Sequence, residues 1–210
     1  MMTLRDRLRT ETSTYHERLT TKLDLMRPAM TISDYRTVLQ KLYGLLNPLE
    51  HRIRKVSDWD IPELALRQRF KTNFIAKDLL VLGVDSQHLQ LLPTCPRLPA
   101  ISNFAEMLGC MYVLEGSTLG GQFLSQHFQD RFRINSDTGC SYFSSYGADI
   151  FEMWSRFVIY LNNYGIRYAS DTAKVTAGAI ETFQSFETWL APTSKIAETS
   201  NYKKNLVIPE

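Results

Sequence analysis

The sequence predicts an all-α, single-domain protein, and three observations carry that prediction. Apolar residues recur at three- and four-residue spacing in one segment after another. Nowhere is there the sustained alternation that a half-buried strand needs. Most prolines fall at the joints between the periodic segments, with none from Ala100 to Gln129. At 210 residues the chain is long enough to bury one full core. A hydrophobic fraction of 44% with 22% charged residues is ordinary globular composition.

The elements follow in order. Thr3–Leu25 reads as an amphipathic helix with Leu4, Leu8, Tyr15 and Leu19 on one stripe, stopping before Pro28. A second helix is expected from about Asp34 to Lys55, capped by Thr31 or Ser33. Its inward residues are Tyr35, Val38, Leu39, Leu42, Leu45, Leu46 and Leu49, and Pro48 is expected to kink it. A third helix is expected from about Pro62 to Leu82, ended by Gly83. Asp85–Leu91 is one short turn, and Pro93, Pro96 and Pro99 mark a rigid connector. The run Ala105–Leu124 is the next helix, and Asn135–Gly147, rich in serine and glycine, is a loop. Ala148–Asn163 places Ile150, Trp154, Phe157, Val158 and Leu161 on one side and is closed by Gly165. Asp171–Leu190 is the last helix. Residues 1–191 therefore form the helical domain, and the polar segment 192–210 is a tail expected to fray.

Composition narrows the function. A net charge of +2 argues against a general nucleic-acid or membrane-surface binder. The cluster Arg52–Lys55 reads as a solvated helix face, or as a patch for an acidic electron-transfer partner. Cys95, Cys110 and Cys140 are sparse and odd in number, which fits a reducing cytoplasm better than a disulfide framework or a zinc site. No secretory signal segment and no internal repeat are visible.

The most informative stretch is Leu108–Gln122, which holds four glycines inside apolar, helix-compatible sequence. At ~100° per residue, Gly109, Gly116 and Gly120 fall within about 20° of one line. Each costs about 1 kcal/mol relative to alanine in a helix interior. The bare stripe implies close approach to something flat or bulky, either another helix or a ligand. Glu106 and Glu115 exclude a membrane span here. On the first helix, His16 lies beside the apolar stripe, about 75° from its centre. Arg9 lies two turns earlier, about 10 Å along the axis and within about 20° of His16 in projection. Arg5, Thr12 and Thr20 share that flank. A neutral imidazole is the commonest nitrogen ligand for a metal, and haem iron is often held by one axial histidine. A guanidinium at that distance suits a carboxylate at a porphyrin rim. Alone, such a histidine is an ordinary surface residue; it gains meaning beside the glycine stripe.

Together these segments resemble the haem oxygenase family, and in particular the bacterial members that supply biliverdin to phytochromes. Leu8–Leu19 resembles the family's proximal helix, and Tyr112–Gln122 its distal helix. Tyr142–Gly147 followed by Met153–Phe157 is similar to the loop and helix that come next, and Phe183–Leu190 to the last core helix. One departure stands out. Animal-type members carry an aspartate after the first distal glycine; here the position is Ser117.

The resemblance implies a helical bundle with haem between the proximal and distal helices. His16 would be the iron ligand; Gly116, Ser117 and Gly120 would form the catalytic distal surface. Tyr112 and Gly121 would line the pocket with Met111 and Phe183, and Arg9 and Arg156 would meet the propionates. It implies oxidation of haem, at once cofactor and substrate, by dioxygen to biliverdin, iron and carbon monoxide. Electrons would come from a ferredoxin or a flavin-dependent reductase, and a bilin-binding photoreceptor would accept the product. His127 projects onto the same line as Gly116 but lies about 10 Å beyond Gly120, too far to be a second ligand on a straight helix. His51 and His88 have no partner pattern in the sequence. Three rivals stand beside this reading: a non-catalytic haem carrier, a thiamin-salvage type of hydrolase for which Cys110 would be the only nearby thiol, and a structural domain whose glycines serve packing alone.

Overall fold

The computed structural model describes residues 2–191, and the expected tail 192–210 lies outside them. The described residues form α1 (Leu4–Leu23), α2 (Ile32–Ile53), α3 (Leu66–Arg69), α4 (Thr72–Val81), α5 (Ser86–Gln90), α6 (Phe104–Phe132), α7 (Ile150–Arg167) and α8 (Thr172–Leu190), with no strand among them. The all-α expectation holds, and one contiguous core runs from Leu4 through Leu190.

Local chemistry starts and stops these helices where side chains can satisfy the end groups. Thr3 caps α1 by accepting from the Asp6 amide. Thr31, rather than Ser33, caps α2 in a reciprocal box with Asp34, so that helix begins at Ile32. The inward face of α2 is as expected, with Tyr35, Leu39, Leu45 and Leu49 fully buried. Pro48 lies within α2 without ending it. Asn103 caps α6, and Arg133 ends it in the left-handed region at φ 55°.

Two boundaries differ from expectation. The helix expected over 62–82 is broken. Ala65 adopts φ 46° and Phe70 is extended, so α3 is a single turn and α4 starts afresh at Thr72. The cause is tertiary: the Glu50 carboxylate of α2 accepts from the Lys71 and Thr72 amides and so caps α4 from another helix. Gly165 does not close α7, which runs on to Arg167. A Cβ at Gly165 would lie 2.7 Å from that of Leu4, so this glycine admits α1 instead of ending a helix.

The spine of the fold is the crossing of α6 on α8. A side chain at Gly109 would run into the Val175 carbonyl and lie 2.8 Å from the Ala179 nitrogen; one at Gly178 would meet the backbone of Glu106. The two helices thus touch backbone to backbone. α1 lies along α8 and α7, while α2 packs on α4. α1 and α6 both rest on α8 and scarcely touch each other, and the strip over α8 between them is termed the α1–α6 groove.

Candidate haem site

One wall of the groove is the flank of α1 that carries Arg5, Arg9, Thr12 and His16. His16 is exposed. Its ring stands edge-on to Phe183 of α8, 6.1 Å between centroids, and makes no hydrogen bond among the described residues. Phe183 is buried and forms floor beneath the imidazole. Arg9 is exposed and likewise makes no hydrogen bond or ion pair among the described residues. Tyr112 of α6 bridges the walls at one end. Burial pushes its phenol pKa up, while the Thr12 hydroxyl and the charges of Arg5 and Arg9 pull it down.

The other wall is α6 beyond Tyr112, where the glycines divide by task. Gly109 serves the α8 crossing, as a pure packing account expects. Gly116 faces the Trp154 ring at 3.8 Å, and Gly121 faces Phe143 of the loop. Gly120 is exposed and its missing side chain would meet nothing within 4 Å. A packing account gives no reason for glycine there.

The remaining expected residues separate. Ser117 is exposed, and its hydroxyl donates to the Leu114 carbonyl at 2.7 Å, so its oxygen is left as an acceptor. Met111 is fully buried and belongs to the core, not to a pocket. Arg156 pairs with Glu152 at 3.1 Å, both well exposed. On α7 it lies roughly 160° from Trp154 in projection, away from the flank that meets α1 and Gly116. His127 is half-buried with an unpartnered Nε2 and stands edge-on to Phe128. Cys110 is enclosed, and burial pushes its thiol up to about 12, which leaves the hydrolase reading without a nucleophile. Within the Arg52–Lys55 cluster, Arg52 binds the Pro99 carbonyl at 2.7 Å and Arg54 covers the Phe70 ring, so part of that patch is structural.

A recess of about 890 Å³ lies on another flank of α1, lined by Arg18, Lys22, Arg97 and Glu187 among others. Its two α1 cations are already paired with Glu187. Gly120 lies elsewhere, on α6.

Sequence reasoning missed a buried polar layer behind α6. Glu115 pairs with Arg69 and accepts from the Tyr146 hydroxyl at 2.9 Å. Burial pushes the Glu115 carboxyl up against the opposing pull of Arg69 and Lys71. Asp78 accepts from Ser141 and Tyr142 amides at 2.7 and 2.8 Å and pins the loop. No periodicity marks Arg69 or Lys71, which in sequence look like surface cations.

An exposed imidazole without a hydrogen-bond partner among the described residues stands against the Phe183 ring, and one α6 glycine, Gly120, is exposed with open space before it. A nitrogen donor for iron and a stretch of helix free of side chain are groups that fit a haem. The Heme oxygenase family profile matches residues 2–192. The chain belongs to the haem oxygenase family. Degradation of haem to biliverdin is therefore its activity. The fold is also that of two solved haem oxygenases. The one from Neisseria meningitidis, determined with NO and CO bound, superposes with a TM-score of 0.76 at 20% identity over 99% of this chain and 100% of its own. The one from Leptospira interrogans gives 0.72 at 15% identity over 90% and 99%. No curated protein sequence matches this chain. No helix among the described residues is long and apolar enough to cross a membrane. Nor do they contain a cluster of three or more ligating side chains for a bare metal ion.

Proposed function

We propose that haem binds in the α1–α6 groove, where His16 would hold the iron and Gly116 and Gly120 would leave room for the ring. The observation that carries this is Gly120: an exposed helix-interior glycine with open space before it, in a chain whose His16 is also exposed and without a hydrogen-bond partner among the described residues. Bound haem supplies the iron that activates dioxygen and the ring that is opened. The protein's part is geometric and electrostatic. His16 holds one side. The absence of side chains at Gly116 and Gly120 lets the backbone come close on the other, and Gly121 keeps the loop packed against α6. Tyr112 closes one end of the groove. Ser117, its proton committed to Leu114, accepts a hydrogen bond from a distal water instead of donating one. Arg9, with Arg5 beside it, meets a propionate. Arg156 is left to the opposite flank of α7.

Iron and carbon monoxide leave with biliverdin, and a ferredoxin or flavin-dependent reductase supplies the electrons. As in the phytochrome-associated members that the sequence resembles, a bilin-binding photoreceptor takes the product in the cytoplasm. Titration with hemin tests the assignment. Wild-type protein develops a Soret band that His16→Ala loses or shifts. Given dioxygen and a reductant, the wild-type band bleaches as verdin absorption grows. A Soret band unchanged in His16→Ala would remove this residue from the iron, and a stable band under turnover would leave only a carrier.

A further inference from the structure

Glu115 and Arg69 form an ion pair in which each side chain is only 1% exposed. Glu115 lies next to Gly116 but about 100° round the helix from it, on the side of α6 away from the groove. Arg69 holds more than this carboxylate. Its Nη1 also donates to the Met153 carbonyl at 3.1 Å, and its Nε donates to the Leu64 carbonyl at 2.6 Å. The Tyr146 hydroxyl brings the loop to the same carboxylate, donating to Oε1 at 2.9 Å. Lys71 is buried beside them, its Nζ 3.1 Å from the centre of the Tyr146 ring and without a hydrogen-bond partner among the described residues.

One guanidinium therefore ties the turn before α3, the middle of α6 and the first turn of α7, with the loop joined through Tyr146. Met153 immediately precedes Trp154, the residue whose ring faces Gly116. A buried ion pair is a poor source of net stability compared with apolar packing. What it supplies is direction, because a planar fork of N–H donors satisfies its acceptors in one arrangement only. We propose that Arg69 and Glu115 are positioning residues for the haem site: the Arg69–Glu115–Tyr146 array couples the rotation of α6 to the first turn of α7, so that the Gly116–Gly120 wall and the Trp154 ring keep one register toward the groove. Neither residue touches the ligand. The inference rests on the groove being the haem site.

Tyr146→Phe and Arg69→Lys in the full chain test it. Tyr146→Phe removes one hydrogen bond to Glu115 and keeps the ring over Lys71, so the fold survives. In the haem-free protein, hydrogen exchange should quicken together in α6 beyond Gly116 and in the first turn of α7, with α2 unchanged. In the hemin complex, affinity should stay close to wild type while the pH midpoint of the ferric Soret shift moves. Turnover should fall about 10–100-fold at similar KM, the scale of an ångström-sized misplacement. Arg69→Lys should move all three readouts further the same way; if it does not fold, Tyr146→Phe alone decides. Wild-type exchange and an unmoved pH midpoint would overturn the proposal. So would exchange that rises equally in every helix, which is plain loss of stability. Failure of the wild-type protein to bind hemin would instead sink the proposed function, and exchange in the haem-free protein would still report on the coupling.

Discussion

Alanine at Gly109 and alanine at Gly120 are the same chemical change in the same helix, and the structure gives them opposite signs. At Gly109 the new methyl would overlap the Val175 carbonyl and lie 2.8 Å from the Ala179 nitrogen. Ordinary contact begins at 3.4 Å, and both obstacles are backbone. No side-chain end can swing aside, and Gly178 faces Glu106 backbone across the same crossing, so α6 and α8 must move apart. Overpacking onto backbone costs about 3 kcal/mol or more, and the gain of about 1 kcal/mol in helix propensity does not offset it. For a domain of this size the net loss of about 2 kcal/mol lowers Tm by about 4–8 °C. At Gly120 nothing lies within 4 Å. There the propensity gain of about 0.5–1 kcal/mol stands alone and raises the Tm of the haem-free protein by about 1–4 °C. The benefit should reverse on ligand binding. Gly120→Leu puts a side chain where the flat ligand lies and should weaken hemin binding by about tenfold or more. Thermal melts by circular dichroism without hemin, then Soret titrations, measure both halves. A drop in Tm for Gly120→Ala like that for Gly109→Ala, or wild-type hemin affinity in Gly120→Leu, would show that the two glycines do one job and that the groove is misassigned.

Other outcomes follow from the same coordinates. Asp78→Asn leaves the Ser141 and Tyr142 donors short of a full acceptor set and should cost about 2–3 kcal/mol, read from the urea midpoint. Thr31→Ala removes the α2 capping box and should cost about 1 kcal/mol by the same assay. Burial depresses the Lys71 pKa to about 8, so the folded state disfavours its charged form. From about pH 8 up toward the ordinary lysine range, the unfolded chain holds more of this proton, and stability at this site rises with pH. Wild-type stability measured against Lys71→Met should therefore grow by about 2 kcal/mol between about pH 7 and about pH 10; a constant difference would show that Lys71 is not desolvated.

Much of the bundle was legible because burial imposes a helical period. The inward face of α2 and the stripe of α1 follow from apolar spacing and caps, and the extent of α8 from apolar spacing. The break at Phe70 was not legible, because Leu66, Ile75 and Leu79 keep a plausible spacing while the group that starts α4 is the carboxylate of Glu50, some twenty residues back. Gly165 looked like a stop for the same reason: its partner, Leu4, belongs to a helix at the other end of the chain. Of the expected site, His16 and Gly120 are exposed and stand as the proposed haem contacts. Met111 went to the core and Arg156 to the outside of α7, since spacing along one helix does not say which neighbour each face meets.

By itself the sequence determined the fold class, the order of the long helices, and the presence of a lone histidine on the first helix and a glycine run within another. These are properties of local periodicity and of residues whose backbone freedom or ligand chemistry travels with the residue type. Only the tertiary structure decided which glycines are spent on α8 and which is left open, and that Arg69 and Lys71 are buried rather than solvated. Those outcomes depend on which helices cross and at what depth, and the contacts that set the crossing join residues dozens of positions apart.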